Sequence, residues 1–265
     1  MSPPERSASP AVVAYRDESF LDSDDARPLR ILAEYLEPLA VFRRRRVRDT
    51  IVFFGSARIR EDGPLGRYYT EARELARLVT AWSKSLPRGS QRFVVCSGGG
   101  GGIMEAANRG ASDAAGETIG LNIGLPHEQR PNPYITRELL FEFHYFFMRK
   151  LWFTHLARGL IAFPGGFGTL DELMETLTLA QTGKLSEKIV IILYGSAYWR
   201  EIVDFDALAR HGTISAKDLE LFQFADDPQS ALAILQAGLS LGTTGEGPAF
   251  AGSCTVRHPD RGARR

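Results

Sequence analysis

Cysteine is nearly absent from this sequence. The 265-residue chain has two, Cys96 and Cys254, one closing an apolar run and the other in a polar tail, so neither a disulfide framework nor a zinc site is expected. Cys96 reads as a small core residue. His, Asp, Glu and Cys nowhere show metal-ligand spacing, and no metal is expected. Charge of one sign is missing too. Lys and Arg number 32 against 32 Asp and Glu, so nothing electrostatic points to nucleic acid or an anionic membrane, and an anionic ligand must be held by a local site. No apolar run approaches the length of a bilayer span, and residues 1–10 carry Pro, Ser and charge where a signal peptide has an apolar core. A cytoplasmic protein without membrane contact is expected.

Residues 1–27 are rich in Ser, Pro and acidic side chains, and residues 243–265 in Gly, Thr and Arg. Neither has the apolar periodicity that offsets the entropy of ordering, so both are expected to be flexible. Between them, 28–242 is long enough for one well-buried domain. It opens with a helical pattern over 28–46 in which Leu29, Leu32, Ala33, Leu36 and Leu39 share helical spacing. The pattern ends in Arg43, Arg44, Arg45 and Arg46, read as a solvated face or subunit contact rather than a nucleic-acid site. From Asp49 onward, β-branched or aromatic runs alternate with helical patterns: 50–54 then 68–83, 93–96 then 103–115, 118–123, 160–163 then 170–182, 189–193 then 198–209, and 221–224 then 228–237. This alternation predicts an α/β domain, a parallel sheet with helices on both faces.

In an open parallel sheet ligands bind beyond the carboxyl ends of the strands, so residues directly after each apolar run are the informative ones. After 93–96 comes Ser97-Gly98-Gly99-Gly100-Gly101-Gly102-Ile103-Met104-Glu105. The amides of Gly99, Gly100, Gly101 and Gly102 at a helix start can cradle a phosphate; a tight packing turn is the plainer alternative. No Gly-Lys-Ser/Thr follows, and Ile103 stands where the dinucleotide fingerprint has Gly or Ala, so neither a P-loop nor NAD is expected. After 160–163 comes Pro164-Gly165-Gly166-Phe167-Gly168-Thr169-Leu170-Asp171-Glu172. Its glycines free several amides, and Thr169 can cap the helix or bind a phosphate oxygen. Thr169 and Glu172 also have the spacing of a capping box, in which Glu172 merely bonds the Thr169 amide. A functional Glu172 would face a sugar instead, because a carboxylate repels a phosphate. The third segment, 141–153, is dense in aromatics that either wall a base pocket or belong to core or dimer interface. Within it Arg149 and Lys150 point about 100° apart on a helix and so serve different partners. Arg149 offers a planar donor fork for phosphate or ribose hydroxyls, Lys150 a point charge. His144 and His155 lack a carboxylate at a telling spacing and read as structural.

Together, residues 97–105, Met148-Arg149-Lys150 and the segment from Pro164 to Glu172 resemble the LOG family, named for the plant lonely guy cytokinin-activating enzymes and long labelled lysine decarboxylases. The resemblance spans roughly residues 49–237. It implies a single Rossmann-like domain and a homodimer without cofactor. It implies a phosphoribohydrolase that cleaves the N-glycosidic bond of a nucleoside 5′-monophosphate, AMP or a cytokinin riboside monophosphate, into free base and ribose 5-phosphate. It further implies that Arg149 and Glu172 are catalytic, and that Met148, Lys150, Pro164, Gly165, Gly166, Phe167, Gly168 and Thr169 belong to the substrate site. The N-terminal extension and the aromatic stretch before Met148 depart from the compact plant-type members and leave the base unassigned.

Cleavage of that bond builds positive charge on the ribose, which a carboxylate at 172 stabilises while it orients or deprotonates water. Arg149 would hold the nucleotide and the loop amides its phosphate, so that binding energy serves orientation. Three competing readings are an interaction protein acting through the arginine run and the tails, a non-catalytic carrier of a phosphorylated nucleotide or cofactor, and a pyridoxal-dependent decarboxylase. For the last no Schiff-base lysine with a ring-nitrogen partner is evident.

Overall fold

The computed structural model describes residues 12–86, 92–124, 130–185 and 187–240; Cys254 and the tail expected at 243–265 lie outside them. The segment expected to be flexible up to residue 27 is built, from Val12 onward, of short helical turns at Ala14–Arg16, α1 (Glu18–Leu21) and Asp24–Ala26. The Asp17 carboxylate caps α1 by accepting from the Phe20 amide. In chain order there follow α2 (Arg27–Arg45), β1 (Thr50–Phe54), α3 (Gly66–Ser85), β2 (Val94–Ser97), α4 (Ile103–Asp113), β3 (Thr118–Ile123) and β4 (Leu140–Phe143). Then come α5 (Phe146–His155), β5 (Ala157–Ala162), α6 (Phe167–Gln181), β6 (Val190–Tyr194), α7 (Ser196–Ile202), α8 (Phe205–Arg210), β7 (Phe222–Ala225) and α9 (Pro228–Ser240).

The seven strands pair in the order β4-β3-β2-β1-β5-β6-β7, parallel throughout. A parallel sheet is covered on both faces, which is why β1, β2, β3 and β6 are buried along their whole length. Helices α3, α4 and α9 pack on one face around Ile51, Phe53, Leu75 and Leu235. On the other, α2, α5 and α6 meet Val52, Phe54 and Leu121 through Phe42, Trp152 and Leu173. The α/β domain expected from the alternation is the one observed, and it is the single Rossmann-like domain that the resemblance implies.

Strand order reverses between β1 and β5. The chain runs outward from β1 to β4, returns to place β5 beside β1, and continues to β7. Loops leaving adjacent strands in opposite directions open a crevice at such a point. It lies between the segment after β1 and the segment after β5, which the Ser56 amide ties together by donating to the Pro164 carbonyl at 3.0 Å.

Three features differ from expectation. Strand β4 was hidden in the aromatic stretch; as an edge strand it buries only Phe141 and Phe143 and exposes Leu140 and Glu142, a four-residue alternation too short to stand out. The pattern at 198–209 is two helices, because Val203 is extended and Asp204 caps α8 through the Ala207 amide. Helix α2 packs through Tyr35, Pro38, Leu39 and Phe42, while Leu29, Leu32 and Leu36 stay about half exposed. The sequence carries two apolar stripes there, and only one fits the sheet. Among the described residues no helix is long and apolar enough to cross a membrane.

Candidate active site

Arg149 lies on the inner face of α5, 8% exposed. Its Nε donates to the Leu121 carbonyl of β3 at 2.9 Å, its guanidinium stacks 5.0 Å from the centre of the Phe153 ring, and its Nη1 stands 3.4 Å from Glu172 Oε1. The separation is longer than that of a bidentate fork, so the carboxylate is paired but not saturated. Burial works against charge on both partners. It pushes the Glu172 carboxyl up to about 7 despite the opposing pull of Arg149, and it lowers Arg149, whose guanidinium nevertheless stays protonated. A carboxyl poised near neutrality in a dry setting is suited to acid-base or electrostatic work on a ligand.

Glu172 is not a capping residue. Helix α6 starts at Phe167 with Gly166 as N-cap and no side-chain cap, three residues earlier than a Thr169 cap requires. Thr169 is buried under Gly165. The helix thus presents its first-turn amides, at Phe167, Gly168 and Thr169, without a side-chain acceptor of its own, a favourable place for an anion.

Lys150 faces the other way, 2.6 Å from Asp171 and 3.2 Å from Glu175, stapling α5 to α6. Burial works to lower its pKa, but the bonds to Asp171 and Glu175 win and raise it. Met148 is core. Phe167 is 93% exposed at the start of α6. His144 and His155 pack edge-on against Tyr145 and Trp152.

The glycine run divides its work. A Cβ at Gly98 would stand 2.5 Å from Arg149 Nη2, so Gly98 makes room for the guanidinium. Gly99, at φ 74°, gives its amide to Ser97 Oγ and its carbonyl to Asn132. Gly102 lies against Ser56 and Ala57, whose backbone a Cβ would strike. Gly98, Gly99, Gly100 and Gly102 are buried and only Gly101 is partly open. Cys96 sits beneath, in the core as expected, with its thiol pushed far up by burial.

A cleft of about 360 Å³ opens at the crevice, lined by Ser56, Arg58, Arg60, Gly165, Gly166 and Tyr198 among others. Its size suits a small ligand. The Tyr198 hydroxyl donates to the Gly165 carbonyl at 2.9 Å and so braces the second glycine loop. Arg149 and Glu172 do not line this cleft; they belong to the α5–α6 layer, joined to it through the loop from Pro164 to Thr169.

The model of the family described as "Possible lysine decarboxylase" matches residues 104–235, a stretch that includes both Arg149 and Glu172. The chain belongs to the LOG family. A probable cytokinin riboside 5′-monophosphate phosphoribohydrolase, LOG4 of Oryza sativa subsp. japonica, is 29% identical over 137 residues, 51% of this chain and 58% of that protein. LOGL6 of the same organism, named for the same probable activity, is 27% identical over 222 residues, 82% of each chain. The structural-genomics target TM1055 shares the fold at TM-score 0.51 and 20% identity, covering 71% of this chain and 99% of that one.

For this LOG-family chain, the sequence motifs did not disclose the loop after β1, Gly55-Ser56-Ala57-Arg58. Its signal was its position, directly beyond the first apolar run, with Gly55 where a Cβ would collide with Ile103. Asn132 was also missed. It donates to the Gly99 and Gly100 carbonyls and to Asn108 Oδ1, and no local pattern marks that role. Among the described residues no group of three or more His, Cys, Asp and Glu is arranged to hold a metal ion.

Proposed function

We propose that this chain hydrolyses the N-glycosidic bond of a nucleoside 5′-monophosphate, releasing the base and ribose 5-phosphate. The observation that carries it is the buried Arg149–Glu172 pair, with Glu172 held near pH 7, one turn beyond the uncapped start of α6. The 5′-phosphate is received by the α6 amides and the Arg58 side of the cleft. In this proposal the ribose lies toward Glu172, which stabilises the developing oxocarbenium charge and, as the carboxylate, takes the proton of the attacking water; the C–N bond breaks as the new C–O bond forms, and that proton passes on to the departing base nitrogen. Arg149 orients both the carboxylate and the ribose hydroxyls. The names of the relatives favour a cytokinin riboside 5′-monophosphate as substrate, and AMP shares the ribose 5-phosphate that the proposed site would hold.

Pyridoxal chemistry does not fit. Lys150, the lysine of the site, is tied to Asp171 and Glu175 with its pKa raised, the opposite of what a Schiff-base nucleophile needs. The chain also assembles as a homodimer in this proposal, because α5 leaves Phe146 and Phe147 about half exposed and α2 leaves Leu32 and Leu36 so as well, large apolar side chains of the kind a second copy covers.

The test is a panel of nucleoside 5′-monophosphates and the matching nucleosides, assayed for free base and ribose 5-phosphate. Release from a monophosphate but not from its nucleoside is expected. Equal rates on both would remove the phosphate assignment, and bound but intact nucleotides would make the chain a carrier.

A further inference from the structure

Helix α5 carries Arg149 but has no side-chain cap of its own at its N-terminus, and the two amides that lead into it, those of His144 and of the N-cap residue Tyr145, are held by Glu34 of α2. One carboxylate oxygen accepts from the His144 amide at 2.8 Å and the other from the Tyr145 amide at 3.2 Å. A negative charge there also complements the helix dipole. The Glu34 carbonyl accepts from Trp152 Nε1 at 3.0 Å, Tyr35 stacks on the same indole, and Arg30 Nε donates to the Tyr145 hydroxyl. Tyr145 in turn accepts the Arg149 amide on its carbonyl at 3.2 Å. A continuous set of bonds thus runs from α2 to the backbone of Arg149, and α2 lies outside the stretch matched by the family model.

We propose that Glu34 is a positioning residue, through which the helix preceding the sheet sets the entry of α5 and with it the reach of Arg149 to Glu172. This rests on the hydrolase proposal for its catalytic consequence, but not for its geometry. A side chain misplaced by about 1 Å costs up to about 100-fold in rate, so Glu34→Ala should lower kcat at least about tenfold. Glu34→Gln keeps one acceptor and should fall between.

A merely structural clamp would lower the melting temperature and nothing else. A positioning role also moves the titration of Glu172, which faces Arg149 and Lys150 of α5, Asp171 and Glu175 of its own helix and Cys96 of β2. With Arg149 drawn away, the midpoint of Glu172 should rise, read by carboxyl ¹³C NMR in wild type, Glu34→Ala, Glu34→Gln and the exposed control Glu37→Gln. Arg30→Met, which frees the Tyr145 hydroxyl, serves if Glu34→Ala does not fold. Expected are a raised midpoint and lowered kcat in both Glu34 variants and neither in Glu37→Gln. An unmoved midpoint with unchanged kcat in folded Glu34→Gln and Arg30→Met overturns the proposal. If the wild type turns over no monophosphate, the hydrolase proposal fails instead, and the midpoint still decides the role of Glu34.

Discussion

Replacing Glu172 by Gln keeps its volume and its place in α6 while removing the one titration on which the chemistry depends. The carboxyl titrates at 4.5 in its ordinary state and at about 7 in the folded protein, a difference worth about 3 kcal/mol. The folded protein therefore holds this proton more tightly than the unfolded chain. The resulting stabilisation is fully present below pH 4.5 and is lost as pH rises through about 7. Urea unfolding of wild type and Glu172→Gln over that range should show the wild type losing about 3 kcal/mol relative to the variant, the other titrating groups cancelling in the difference. Turnover follows the opposite course. Wild-type rate should rise with pH through a midpoint near 7 as the carboxylate forms, and the variant should be slower by a factor on the order of 100 above that midpoint, the two rates converging as pH falls below it. A stability difference that is flat with pH, or a variant with wild-type turnover, would show that Glu172 is a packing residue and refute the mechanism.

Gly98→Ala places a methyl against the Arg149 fork and Met104. It should cost about 1 kcal/mol of stability but about tenfold or more in kcat, checked by denaturation and steady-state rates on one sample. Asn132→Ala removes a donor from the Gly99 and Gly100 carbonyls and from Asn108 Oδ1; the Gly99 carbonyl keeps the amide of residue 132 and Asn108 Oδ1 keeps the Ser97 hydroxyl, so the Gly100 carbonyl is the group that loses its partner. A loss of about 1–3 kcal/mol is expected by urea unfolding; a change well below about 1 kcal/mol would mean that water replaces the amide. Phe147→Asp places a charge in the exposed patch of α5 and should shift sedimentation from dimer to monomer. A monomeric wild type would move the dimer contact out of the proposal altogether.

Much of the fold was legible because its signals are local. The β-branched runs at 50–54 and 118–123 coincide with β1 and β3, and the two glycine-rich segments fall at the carboxyl ends of β2 and β5. Periodicity was a poorer guide where two apolar stripes compete, as on α2, since which one is buried depends on what lies opposite. At the candidate site the residue types were legible but their partners were not. Thr169 and Glu172 carried the spacing of a cap, and only the earlier start of α6 at Phe167 removes that option. Arg149 and Lys150 are neighbours with separate fates, one against Glu172 and one against Asp171 and Glu175.

The sequence by itself determined where most of the buried strands and their following helices form, which segments become backbone-rich loops at strand ends, and that any anion must be held locally in a chain of zero net charge. Those are properties of neighbouring residues and composition. Only the tertiary structure decided that β5 returns beside β1 to open the crevice, that Gly98 yields its side-chain space to Arg149, and that Glu34 grips residues more than a hundred positions away. Strand order and long-range partners are chosen by how layers pack, and burial then sets the protonation of Glu172, a quantity that no spacing along the chain encodes.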